Sequence, residues 1–277
     1  MTLASRLSSA LFIWLAGGGF ALAQDAPQPP IPFEGGSLTI TETEDLDKVL
    51  AFNGEELARN YVVYFDKIVE LNGVKVALFA VGDGGNQCGP AEVMVWKPQG
   101  GEVETATVGE DCGAPPAAVT GNSIYFVPYL LPGESEAVQV WSPDTGLEVA
   151  GTITYAPQPG TGWQDLDPSK FENIIGSFKN EAVYEASKKL LGDKLTDVAT
   201  GLSVGGSPET TASGIFYASG CVPHACGSAD AFMAVDPHGQ KLYFAQEGDN
   251  PEPSGWPEIN TWPAEVKEAM KSSMGQQ

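Results

Sequence analysis

The sequence predicts an α+β protein of two domains, in which a mainly β N-terminal domain precedes an antiparallel sheet with helices on one face. Hydrophobic residues make up 42% of the 277 positions, enough to bury one large core or two ordinary ones. The 33 glycines and 21 prolines favour many turns and few long helices. Short strand-like runs dominate the first half, and helical patterns concentrate in the second.

The first 23 residues have the pattern of a secretory signal peptide. Arg6 supplies a positive charge, residues 11–16 are apolar, and Ala21-Leu22-Ala23 precedes Gln24 as a small-residue cleavage site. We therefore expect cleavage near Ala23 and a periplasmic or secreted protein. Every later apolar run is too short to span a bilayer, so we expect no membrane insertion.

The first domain is predicted to cover residues 37–157, after a Pro-rich flexible arm at 24–36. Residues 46–60 have the spacing of a helix, and the remainder consists of strand-like runs separated by turns with Gly and Pro. These runs lie at 61–65, 74–81, 92–96, 103–108, 123–129, 137–141 and 148–155.

The second domain is predicted to cover residues 169–277, after a Pro- and Gly-containing linker at 158–168. The spacing predicts helices over 168–179 and 181–191, with Gly192 as a C-cap. The remaining elements are strands at 214–219, 231–235 and 241–245 and a short C-terminal helix at 263–271.

The charge balance excludes some partners. The chain has 14 basic and 36 acidic residues, a net charge of −22, and so repels nucleic acids and anionic membranes. An acidic surface instead favours a basic partner and raises the rate at which the two meet.

Four cysteines are consistent with an oxidising compartment. They allow three disulfide connectivities, and we favour Cys88–Cys112 with Cys221–Cys226 because the members of each pair are close in sequence. Zinc binding is the rival use, but neither pair has C-x-x-C spacing. We therefore expect neither a metal site nor a cofactor.

The segment between Cys221 and Cys226 carries the most information about function. A six-residue ring stabilises the fold by only about 2 kcal/mol, against about 3.5 kcal/mol for a Cys88–Cys112 loop. Fixing the shape of the loop is the better explanation. Pro223 restricts the backbone, and His224 would project from a ring that loses little entropy on binding.

This segment resembles the C-x-P-H-x-C loop of the inhibitor of vertebrate lysozyme (Ivy-type) family. The resemblance covers about residues 171–270 and implies that the loop connects two strands of an antiparallel sheet. It also implies that His224 enters the active-site cleft of a lysozyme and hydrogen-bonds the catalytic carboxylates. The expected lysozyme-binding loop consists of Cys221, Val222, Pro223, His224, Ala225 and Cys226.

Two positions of the loop depart from the better-known members, which carry Lys after the first Cys and Asp after the His. Here these positions are Val222 and Ala225. The resemblance therefore leaves two hypotheses. The first is an exported inhibitor that occludes the cleft of a basic C-type lysozyme or related muramidase. The second is a non-inhibitory envelope binding module that uses the same fold for another ligand.

Catalysis has little support in the sequence, and we expect no enzyme activity. Residues 201–205 match the G-x-S-x-G pattern of hydrolases, but Gly206-Ser207-Pro208 cannot open the helix that the pattern requires. A homodimer is possible.

A faint internal repeat aligns residues 82–91 with residues 220–229, around Cys88 and Cys226. Helical residues are predicted before both blocks. The first domain could therefore be a degenerate tandem copy of the second, with Asn86 in the position of His224.

Overall fold

The computed structural model describes residues 28–85, 88–223, 225–227, 229–248 and 252–275. The predicted signal peptide and its cleavage site lie outside the described residues, as do residues 24–27, Asn86 and His224. Within the described residues the fold is mostly β, with several antiparallel sheets and a few helices.

The N-terminal half consists of three four-stranded sheets, each an antiparallel meander of consecutive strands. The first sheet contains β1 (Ile31–Phe33), β2 (Gly36–Glu42), β3 (Lys48–Phe52) and β4 (Glu55–Asn60). The second contains β5 (Val62–Leu71), β6 (Val74–Gly82), β7 (Ala91–Trp96) and β8 (Glu104–Val108). The third contains β9 (Ala117–Val119), β10 (Ile124–Phe126), β11 (Ser135–Ser142) and β12 (Gly146–Thr154).

The second sheet lies between the other two. Strand β6 alternates its side chains, so that Ala77 and Phe79 pack against the first sheet. Val76 and Leu78 pack against the third, with Trp141 fully buried there. This period-two alternation, with apolar residues on both faces, is expected of a strand in the middle layer of a stack.

The predicted helix at residues 46–60 is wrong. The segment forms β3 and β4, which are joined by Asn53 and Gly54 with positive φ angles of 50° and 91°. Asn-Gly in this conformation is a strong hairpin signal, and the hairpin buries Leu50 and Phe52. Tertiary burial of these side chains outweighs the local helical spacing.

The predicted flexible arm is also wrong over its last residues. Ile31–Phe33 pairs with β2, and Phe33 is only 3% exposed. Buried Phe33, with half-buried Ile31 packed beside it, anchors this short edge strand in the core.

An edge strand of each N-terminal sheet contains a β-bulge. The extra residues are Leu57 in β4, Asp66 in β5 and Ala150 in β12, read from the shifts in strand register. Bulges on edge strands disfavour pairing with a second sheet. The predicted homodimer remains untested, and these three bulged strands do not favour its formation by edge-to-edge pairing.

The C-terminal half forms one antiparallel sheet in the order β13-β15-β16-β17-β18, with β14 also paired to β15. Its strands are β13 (Val204–Gly205), β14 (Glu209–Thr210), β15 (Phe216–Cys221), β16 (Ala231–Asp236), β17 (Lys241–Gln246) and β18 (Ser254–Trp256). Its helices are α1 (Glu181–Leu191), α2 (Leu195–Gly201) and α3 (Ala264–Met274).

Helices cover both faces of this sheet, whereas the sequence predicted one covered face. On one face, Met233 of β16 packs with Val183 of α1 and Val198 of α2. On the other, Phe232 of the same strand packs with Val266 of α3. Strand β16 is apolar on both sides, which requires a hydrophobic layer on each.

The segment before α1 differs from its prediction as well. Residues 168–179 form two short 3-10 turns, Pro168–Lys170 and Ile174–Lys179, because Asn173 and Asn180 cap new turns with their side chains. The predicted linker at 158–168 packs Trp163 and Leu166 against the C-terminal core, so it is not a free spacer. The two domain boundaries otherwise stay a prediction.

The prediction that a helix precedes both blocks of the internal repeat is wrong for the first block. Strands β3 to β6, not a helix, precede the block at residues 82–91. The two blocks share only a cysteine-containing connection between neighbouring antiparallel strands, β6 with β7 and β15 with β16.

Candidate binding loop

The predicted lysozyme-binding loop connects β15 to β16, which are neighbours near the centre of the C-terminal sheet. Cys221 is the last residue of β15 and is 4% exposed, while Cys226 is exposed. A disulfide joins them across 4.8 Å between their Cα atoms, as predicted. His224 lies outside the described residues.

Within the ring the backbone forms a tight turn. The amide of Ala225 donates to the carbonyl oxygen of Val222 at 3.0 Å. Pro223 is the second residue of this four-residue turn, where its fixed φ angle is favourable. Pro223 and Ala225 are exposed and Val222 is half-buried, so the described part of the loop presents an uncharged, mainly apolar surface.

Asp230, which the sequence did not single out, supports the loop through two hydrogen bonds. Asp230 is 1% exposed, and its Oδ1 accepts a hydrogen bond from the amide of Gly227 at 2.7 Å. Its carbonyl oxygen accepts from the amide of Glu247, at the end of β17, at 2.9 Å. Burial is what distinguishes this carboxylate from the many acidic residues at the surface.

Glycines let both ends of the loop lie directly on residues 201–205. A Cβ atom at Gly220, before the loop, would be 2.9 Å from the backbone of Leu202. A Cβ at Gly201 would be 2.7 Å from the carbonyl oxygen of Ala229, after the loop. Both positions therefore need a residue without a side chain.

Ser203, the serine of the G-x-S-x-G pattern, does not lie in a nucleophile elbow. It follows α2 and precedes β13, which is the reverse of the strand-to-helix order that this motif requires. Its hydroxyl donates to the carbonyl oxygen of Thr200 at 2.7 Å. The G-x-S-x-G residues therefore lie at the C-terminal end of α2.

The second histidine of the chain and the second disulfide lie away from the loop. His238 is in the turn between β16 and β17, at the opposite end of β16. The Cys88–Cys112 disulfide, with Cα atoms 4.7 Å apart, is confirmed in the N-terminal half. Among the described residues, no group of three His, Cys, Asp or Glu side chains is arranged to hold a metal ion.

A cavity of about 750 Å³ lies where the two halves meet. Tyr129 and Tyr155 line one side, and burial, together with Tyr129 and Tyr184, raises the pKa of Tyr155 to about 12. Two lining amides, Asn173 and Asn180, are already hydrogen-bonded to the protein backbone. The charged residues that line the cavity include Lys170, Glu172 and Lys179.

A tight, disulfide-closed turn at the end of a packed antiparallel sheet is typical of a binding module or a proteinaceous inhibitor, because a rigid loop loses little entropy on association. Residues 182–276 match the family model of the inhibitor of vertebrate lysozyme (Ivy). This match confirms the resemblance predicted from the loop. Residues 34–154 match a different model, the Y4bG N-terminal domain.

A curated relative is similar to this chain over most of its length. Uncharacterized protein y4bG from Sinorhizobium fredii (strain NBRC 101917 / NGR234) is 25% identical over 231 residues, which cover 83% of this chain and 85% of the relative. In this chain the region that matches the Y4bG N-terminal domain precedes the region that matches the Ivy family.

No helix among the described residues is both long and apolar enough to cross a membrane.

Proposed function

We propose that the protein is an exported inhibitor of a basic C-type lysozyme or related muramidase, and that the loop at 221–226 occludes the active-site cleft. The observation that carries the proposal is the disulfide-closed turn at the end of β15, within a region that matches the Ivy family. His224 is the residue proposed to bind the catalytic carboxylates. An imidazole can donate a hydrogen bond to a carboxylate whether it is neutral or protonated.

Electrostatics support the same partner. The chain has a net charge of −22, so a basic enzyme is attracted from a distance and the association rate falls as salt screens the charges. No turnover is needed for this role, which is stoichiometric occlusion. We propose that the protein acts in the periplasm or outside the cell, after removal of residues 1–23.

The test is inhibition of a purified basic C-type lysozyme by mature protein, at two salt concentrations, beside two histidine variants. We expect His224→Ala to lose inhibition. His238→Ala is the matched control, because it removes the chain's second histidine at the other end of β16 and should leave inhibition intact. Wild-type protein that fails at micromolar excess against C-type and other muramidases would contradict the proposal.

The uncharged loop favours a second candidate, a non-inhibitory envelope binding module. Val222 and Ala225 replace charged residues of the better-known family members, so the loop has fewer polar groups for a lysozyme. This alternative is favoured if the protein binds no muramidase but is retained on isolated cell-wall glycan or by an envelope protein.

A further inference from the structure

We propose that residues 203–206, centred on Val204, form a second contact surface beside the loop for the same basic partner. This inference rests on the proposed function and extends it. Val204, in the edge strand β13, is 47% exposed. In the sheet it lies directly opposite Cys221, the first residue of the disulfide ring.

Residues 203–206 and the loop at 221–226 are held together by pairing between β13 and β15. Gly205 pairs with Gly220, and a Cβ on Gly205 would be 2.7 Å from the carbonyl oxygen of Ser219. Neighbouring strands are about 4.8 Å apart, so a protein that contacts the tip of the ring also faces Val204. A partner therefore meets both elements as one preorganised surface, with no further ordering cost.

The composition of this surface is that of an interface centre. Val204, Pro223 and Ala225 are exposed and apolar, and Gly206 exposes backbone. Interfaces typically combine such an uncharged centre with a polar or charged rim.

Positive charge is absent from the sequence that forms this surface. Residues 195–240 contain no Lys or Arg, and partly exposed Glu247 is hydrogen-bonded to the base of the loop through its amide. One positive charge on a packed element is Lys271 in the last turn of α3, a helix that contacts β15 through Ser219 and Ser273. An uncharged centre on a protein with a net charge of −22 fits a basic partner.

The experiment measures the Kd for a purified basic C-type lysozyme by calorimetry. Val204→Arg places a cation and a longer side chain in the contact, so we expect affinity to fall at least about tenfold. Val204→Ile should keep wild-type affinity. Val149→Arg is the matched control, because Val149 is a 66% exposed strand valine in the other half of the chain.

The outcomes separate the two proposals. If wild type binds, His224→Ala loses binding and Val204→Arg stays within twofold of wild type, the second surface is overturned and the proposed function stands. If wild type binds no muramidase, both are overturned. Near-UV circular dichroism of Val204→Arg must match wild type, so that a loss of affinity reports on contact rather than on folding.

Discussion

The carboxylate of Asp230 accepts a hydrogen bond from the amide of Gly227 at 2.7 Å, immediately after the disulfide ring. Asp230 is 1% exposed, and Gly227 has a φ angle of 88°. A buried side-chain acceptor and a left-handed glycine together turn the chain from the loop into β16. The ring is therefore held at its far side by a polar anchor as well as by its own disulfide.

Removing this anchor should loosen the loop. We expect Asp230→Ala to lower the free energy of unfolding by about 1–3 kcal/mol, because the Gly227 amide loses its acceptor, and to weaken lysozyme inhibition in parallel. Asp230→Asn keeps an acceptor and should be milder. Denaturant unfolding and inhibition assays measure the two effects.

The matched control for this prediction lies at the other end of β16. Asp236 also accepts from a glycine amide, that of Gly239, at 2.7 Å, although here the Asp precedes the Gly in the chain. Asp236→Ala should reduce stability without a specific loss of inhibition. Equal loss of inhibition in both variants, at equal stability, would argue against a loop-specific role for Asp230.

Gly220→Ala should displace the loop. The new Cβ would be 2.9 Å from the backbone of Leu202, and backbone cannot move aside as a flexible side chain can. We expect a destabilisation of about 1–3 kcal/mol and reduced inhibition with the disulfide still formed, as mass spectrometry would verify. Gly248→Ala, where a Cβ meets open space, should resemble wild type in both assays.

Removing each disulfide in turn should separate effects on stability from effects on binding. Replacing Cys221 and Cys226 by Ser opens a ring of six residues, which costs about 2 kcal/mol of stability. Because the freed loop must then be ordered on binding, we expect affinity to fall by about tenfold or more.

Replacing Cys88 and Cys112 opens a longer loop, because the two cysteines have a sequence separation of 24. This should cost about 3.5 kcal/mol and leave affinity unchanged. The reverse pattern, with binding lost in the Cys88 and Cys112 variant alone, would assign the partner surface to the N-terminal half.

Glu92 should make the stability of the N-terminal half depend on pH. Burial, reinforced by nearby Asp66, raises the pKa of Glu92 to about 7 although Lys67 opposes the shift. Its Oε1 is buried and has no hydrogen-bond partner among the described residues. The folded state therefore holds a proton that the unfolded chain releases near pH 4.5.

Stability from this group is thus greatest below about pH 4.5 and falls as the pH rises through 7. Glu92→Gln should remove this slope and add about 1–2 kcal/mol at pH 8, after solvent screening is allowed for. Thermal unfolding at pH 5 and pH 8 measures the difference. A stability difference between the two proteins that is independent of pH would contradict it. Glu136→Gln, at an exposed position of β11, is the control.

The sequence by itself determined the features that depend on local chemistry. Four cysteines in two close pairs predicted both disulfides, and the segment 221–226, with Pro223 and His224 between two cysteines, indicated the Ivy-type domain. Turn residues such as those around His238 also specified their own conformation, because φ preferences act within a few residues.

Only the tertiary structure decided what depends on distant neighbours. Residues 46–60 are strands because β3 buries Leu50 and Phe52 against the second sheet, an energy that local spacing does not contain. The two apolar faces of β16 require helices on both sides, but no local pattern states which helix covers which face. Gly220 supports the loop through its close approach to the backbone of Leu202, and Asp230 supports it through a buried carboxylate. Both depend on how distant segments of the chain pack.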